Sequence, residues 1–79
     1  MRYVVLIAPR AKKQIDKLPP GIKIKIANAV KELSYDPSLG KALKAQLKGL
    51  YSYRVGNYRI IYDIIKRRLV IEIIKVMHR

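Results

Sequence analysis

The sequence predicts an α+β fold of order β-α-α-β-β-β, a helical hairpin packed on a small, mainly antiparallel, twisted sheet. Three observations predict it. Apolar residues recur at three- and four-residue spacing in the first half and at two-residue spacing in the second. A Pro19-Pro20-Gly21 corner separates two helical patterns. Gly56-Asn57 stands between two runs of β-formers as a two-residue hairpin turn.

Tyr3 to Ile7 is a short apolar run closed by Ala8-Pro9. Its lack of alternation predicts a strand covered on both faces or bordering the core. Pro9 suits a first helical position. Ala8, Ala11, Ile15 and Leu18 then form a helical stripe, with Arg10, Lys12, Lys13, Asp16 and Lys17 on the other side. Ile22, Ile24 and Ile26 alternate as in a strand, yet Ile22, Ile26, Ala29, Val30 and Leu33 continue at helical spacing, so length favours a second helix. Asp36-Pro37 stops it, because a residue before proline is pushed out of the α region. Ser38 to Lys48 reads as an irregular or short helical connection. Strands follow at Leu50 to Val55, Tyr58 to Ile65 and Leu69 to Met77, the last after a basic turn at Lys66-Arg67-Arg68.

Seventy-nine residues suit one domain, 1–79, with a compact core. Hydrophobic content of 51% sets the chain apart from a disordered basic tail. Eighteen Lys and Arg against five acids give a charge of +13, a self-repulsion that a polyanion or an acidic protein relieves. The alternative is a merely solvated or thermophilic surface, although thermophile networks usually mix signs. The absence of cysteine excludes disulfides and thiolate metal sites and suits a reducing, cytoplasmic setting. One histidine and five scattered acids build no recognisable metal site, so no cofactor is expected. No apolar stretch approaches the roughly 20 residues needed to span a bilayer, and no membrane partner is expected.

The hairpin carries the most specific information. A two-residue turn at Gly56-Asn57 sets Val55 opposite Tyr58, Arg54 opposite Arg59, Tyr53 opposite Ile60 and Ser52 opposite Ile61. One face then carries Tyr51, Tyr53, Val55, Tyr58, Ile60 and Tyr62 for packing on the helices. The other carries Leu50, Ser52, Arg54, Arg59, Ile61 and Asp63. Like charges directly opposite each other are destabilising unless a counter-charge lies between them. Arginine is an always-charged planar fork for phosphate oxygens, so Arg54 and Arg59 form a candidate phosphate clamp. Pairing of each arginine with Asp63, Glu72 or solvent is the competing reading. With Lys66-Arg67 as the next turn, Val70, Glu72, Ile74, Val76 and His78 share the arginine face, and His78 borders the groove. Histidine titrates near neutrality and can exchange protons there, although a lone histidine near a terminus is often simply solvated.

The run Leu47-Lys48-Gly49-Leu50-Tyr51-Ser52-Tyr53-Arg54-Val55-Gly56-Asn57-Tyr58-Arg59-Ile60-Ile61-Tyr62 resembles the core motif of the RelE/ParE toxin superfamily. The ending Ile74-Lys75-Val76-Met77-His78-Arg79 resembles it as well, and element order, length and charge agree. The resemblance implies a RelE-like, microbial-ribonuclease-like fold and the toxin of a type II toxin-antitoxin system. In the RelE branch it implies an endoribonuclease, an mRNA interferase that cuts messenger RNA in the ribosomal A site by metal-independent 2′-OH attack and so inhibits translation. Its implied partners are the ribosome, mRNA and an acidic RelB-like antitoxin, with operator DNA reached only through the antitoxin complex.

Carried over by position, the resemblance implies catalytic roles for Arg54, Arg59 and Arg79. Arginine holds its proton, which leaves His78 or Lys48 for acid-base work. Lys48, Ser52, Lys44 and Lys75 are assigned to RNA binding. The sequence departs from the family pattern at Ser52, where some members carry lysine, and at Arg79, where many continue to a tyrosine; it therefore predicts membership more firmly than catalytic strength. A ParE-like inhibitor of DNA gyrase and a basic protein that only binds antitoxin or RNA are the alternatives.

Overall fold

The computed structural model describes residues 2–79. It contains strand β1 (Val4–Ile7), helices α1 (Pro9–Asp16) and α2 (Pro20–Tyr35), and strands β2 (Lys41–Ala42), β3 (Tyr51–Val55), β4 (Tyr58–Ile65) and β5 (Val70–His78). The strands form one mixed sheet of order β1-β5-β4-β3-β2. β1 runs parallel to β5, and every other pairing is antiparallel. Both helices lie on one face of this sheet, which is the α+β arrangement expected from the sequence. No helix among the described residues is long and apolar enough to cross a membrane.

Proline positions both helices. Pro9 and Pro20 each occupy the first turn, where a missing N–H is no loss, and the residue ahead of each is extended. The strand-or-helix ambiguity at residues 22–26 resolves as helix: Ile22 and Ile26 pack into the core while Ile24 points out, 63% exposed. The helical side of the core is Ala11, Ile15, Leu18, Ile22, Ile26, Ala29, Val30 and Leu33, meeting Ile60, Tyr62, Ile71, Ile73 and Val76 of the sheet. Each fully buried large side chain stabilises the fold by about 1.5–3 kcal/mol relative to exposure.

β1 is an edge strand covered on one face only. Val5 packs inward, whereas Val4 and Leu6 are exposed. Its pairing ends at Ile7 with Ile73, because Pro9 turns the chain into α1. Beyond Ile73 the outer edge of β5 has no strand partner, and the Gln14 side chain accepts the Val76 N–H at 2.8 Å. This contact fastens α1 to the far end of β5.

The connection expected at residues 38–48 contains two short 3-10 turns, Pro37–Leu39 and Ala45–Leu47, and between them the two-residue strand β2. Two residues are too few to display a period, so this strand is invisible to pattern reading. A buried tyrosine holds the segment in place. The Tyr62 hydroxyl donates to the Pro37 carbonyl at 2.6 Å and accepts from the Gly40 N–H at 3.1 Å. Burial pushes its phenol up from the ordinary tyrosine range. Gly40 leaves no room for a side chain: a Cβ there would strike the Tyr62 hydroxyl and lie 2.9 Å from the Ser52 carbonyl.

Candidate functional site

The β3-β4 hairpin has the register that its turn residues demand. Val55 pairs with Tyr58, Arg54 with Arg59, Tyr53 with Ile60 and Ser52 with Ile61. Within this turn only Gly56, the first central residue, has positive φ, at 58°, which glycine adopts without penalty. Tyr51, Tyr53, Val55 and Tyr58 consequently join the helix-facing core, and the tyrosines there are packing rather than stacking platforms.

Arg54 and Arg59 are exposed on the opposite, helix-free face. Directly paired residues have Cβ atoms about 4.5–5.5 Å apart, so two guanidiniums branch from neighbouring points of one surface. Among the described residues the one side-chain ion pair is Lys12–Asp16 on α1, at 2.8 Å, where Lys12 holds the exposed Asp16 carboxyl below its usual range. Neither arginine therefore has a carboxylate partner. Asp63 and Glu72 share the face but pair with each other across β4 and β5. Asp63 lies four residues along β4 from Arg59, roughly 13 Å away at strand rise. The face is thus cationic at the hairpin end and acidic at the other.

The groove in front of the arginines, about 410 Å³, is lined by Leu39, Lys41, Leu43, Ser52, Arg54 and Arg59 among others. Lys41 is opposite Ser52 in the β2-β3 pairing and so points to the same side. Sequence reading missed it because β2 is so short. Lys44 and Lys48 are exposed at the two ends of the second 3-10 turn and do not line this groove.

One expectation about the last strand is overturned. Glu72 pairs with Asp63, and Val70 with Ile65, as the arginine-face alternation requires, but a bulge follows: Tyr62 pairs with Ile73 whereas Ile61 pairs with Lys75. The extra residue, Ile74, shifts the alternation by one. Lys75 and Met77 therefore take the arginine face, while Val76 enters the core and His78 turns to the helix side. There the His78 ring meets Tyr58 edge-on, with centroids 4.9 Å apart, and its Nδ1 is 2.9 Å from the Arg79 carbonyl. His78 does not border the groove. Arg79, one residue on, donates its N–H to the Asn57 carbonyl at 2.7 Å, and continued alternation past Met77 puts it on the arginine side. Arg54, Arg59, Arg79, Lys75 and Ser52 are brought to one face; His78 is not.

A sheet with one helix-covered face and a second face carrying exposed, unpaired arginines can now be set beside known proteins. Residues 5–79 match the family described as the ParE toxin of type II toxin-antitoxin systems. The chain belongs to the RelE/ParE toxin superfamily. Toxin RelG of Mycobacterium tuberculosis is 36% identical over 81 residues, covering 100% of this chain and 93% of its own length. Toxin RelE of the same organism is 36% identical over 83 residues, covering 98% of this chain and 81% of its own. A RelBE-type toxin-antitoxin complex from Mycobacterium tuberculosis contains a chain with TM-score 0.94 and 33% identity, covering 100% of this chain and 93% of that one. The chain is accordingly a type II toxin of the RelE family, and the fold expected from its motif is the fold observed.

Proposed function

We propose that this toxin cleaves messenger RNA on the ribosome and is held inactive by an acidic RelB-like antitoxin in the cytoplasm. The observation that carries the reading is the facing pair Arg54/Arg59, exposed beside a groove and lacking any carboxylate partner. A fold retains such a destabilising pair when an anion completes it. In RNA the ribose 2′-OH attacks the adjacent phosphate, charge builds on the phosphorane and the 5′ oxygen leaves; only RNA carries that nucleophile. Arg54, Arg59 and Arg79 stabilise the developing charge as oriented cations. Lys75 and Ser52 flank them on the same face, and the exposed Lys44 and Lys48 extend the basic surface for the RNA backbone. His78 is left out of the reacting set because it stands on the Tyr58 side.

The same +13 charge favours an acidic antitoxin, and the structural relative from Mycobacterium tuberculosis was solved as a toxin-antitoxin complex. Incubation with programmed ribosomes tests the reading: the message should be cut at the decoding codon, and cutting should vanish in Arg59→Ala and Arg79→Ala. An intact message, where a known interferase cuts, would rule it out. The match to the ParE family favours a second reading, inhibition of DNA gyrase. A supercoiling assay separates the two, since the gyrase reading requires supercoiling to stop while ribosome-bound message stays whole.

A further inference from the structure

Two guanidiniums and one ammonium line the groove, beside the hydroxyls of Ser52 and Tyr53. Arginine stays charged and serves only as a fixed cation, whereas an ammonium carries protons it can transfer. His78 has been turned to the other face of the sheet, and Lys48 stands outside the groove. Lys75 shares the arginine face without lining the groove, so the groove's one ammonium is Lys41, on the edge strand beside Ser52 and on the side of Arg54 and Arg59. As the diagonal neighbour of Arg54 its Cβ lies about 7–8 Å away, within reach of a lysine side chain.

A lysine on an edge strand is often no more than a guard against strand addition. Here its backbone is fixed on both sides far more firmly than a guard requires. Gly40 before it donates to the buried Tyr62 hydroxyl, and Leu43 after it donates to the Leu50 carbonyl at 2.9 Å. The residue at 40 must lack a side chain for the first contact to exist. Core, glycine and edge strand together hold one ammonium stem beside two guanidiniums.

Resting on the reading of the groove as an RNA-cleaving site, we propose that Lys41 is the general acid of the reaction. As the 2′ oxygen bonds to phosphorus, its proton passes to solvent and the P–O5′ bond breaks. The departing 5′ oxygen takes a proton from the Lys41 ammonium, which becomes the amine and is reprotonated by water. The products are a 2′,3′-cyclic phosphate and a 5′-hydroxyl, and the arginines neutralise the charge that accumulates in between.

The test uses the full chain on programmed ribosomes with two messages, one natural and one with sulfur bridging at the scissile 5′ position. A thiolate leaves without protonation, so the second message bypasses a general acid. Lys41→Met should cut the natural message about 10²-fold or more slowly, the span typical of acid-base catalysis, and the sulfur-bridged message at close to the unaltered rate. Lys41→Arg should keep message binding and share the defect on the natural message. Lys41 is exposed, so an unchanged melting temperature verifies that each variant folds. Equal rates for Lys41→Met and unaltered protein on the natural message, or equal slowing on both messages, overturn the assignment while leaving the cleavage reading standing. If the unaltered protein cuts neither message, the cleavage reading itself fails and the assignment falls with it.

Discussion

The two faces of this sheet are made by the same strands under opposite rules. Along β4, Ile60 and Tyr62 are fully buried beneath the helices, whereas Arg59 between hairpin and groove is exposed and faces another arginine. The helix-covered face gathers apolar area and satisfies its one buried phenol with two hydrogen bonds. The open face assembles like charges: Arg54 with Arg59 at one end, Asp63 with Glu72 at the other. Alternation separates Arg59 from Ile60 and Tyr62, so a recognition residue and core residues stand side by side on one strand, although Ile61 on the arginine side is buried as well. The comparison teaches that residues next to each other in sequence should respond to substitution in unrelated ways.

The sharpest break of that comparison is the neighbouring pair Arg59 and Ile60. Arg59→Ala should lower message cleavage by about 10²–10³-fold, as loss of a charge-stabilising donor does, while chemical denaturation finds no loss of stability. Ile60→Ala should do the reverse, costing about 2–5 kcal/mol in denaturation with the rate of the folded fraction preserved. A comparable loss of stability in Arg59→Ala would mean that the arginine is structural.

Tyr62→Phe should cost about 1–3 kcal/mol, since it strands the Pro37 carbonyl and the Gly40 N–H in a part-buried place. Amide exchange of residues 40–43 should rise in the same variant, because β2 then loses its tie to the core. The raised phenol also predicts a pH dependence. The unfolded chain gives up this proton first, near pH 10, so the stabilisation is complete below that value and is lost as pH climbs through the folded-state value. Urea denaturation between about pH 9 and 11 should show this alkaline decline in the natural chain and a shallower one in Tyr62→Phe.

The smallest effect sharpens the comparison most directly. Arg54→Thr removes a like-charge pair and should raise stability by about 0.2–1 kcal/mol, more at low salt, while removing cleavage. A fold that gains stability on losing a residue its activity needs identifies where recognition was favoured over stability.

Much of this was legible in the sequence, for identifiable reasons. Gly56-Asn57 imposes a loop length, and loop length imposes register, so the face of every hairpin residue follows from those two positions. Ile26, Ala29 and Leu33 revealed α2 because one helix face needs them, even though Ile22 to Ile26 imitates a strand. The bulge was hidden. Ile73 and Ile74 are chemically identical, and nothing in a run of β-branched residues marks which one is extra, so His78 was assigned one residue out of phase. The parallel docking of β1 on β5 was also unreadable, as it joins residues more than sixty apart. Lys41 was missed because its strand exists through pairing with β3 and through the Tyr62 anchor, neither of which leaves a local pattern.

The extra residue in β5 has a consequence of its own. It works as a frame shift in three dimensions: every side chain after it is delivered to the opposite address. With nine residues in β5 set against eight in β4, the arginine at the end of the chain arrives on the basic side and the histidine before it is sent to the helices. Deleting Ile74 would exchange those destinations without altering either residue. A single aliphatic residue thereby decides whether an imidazole or a guanidinium follows Met77 onto the basic side.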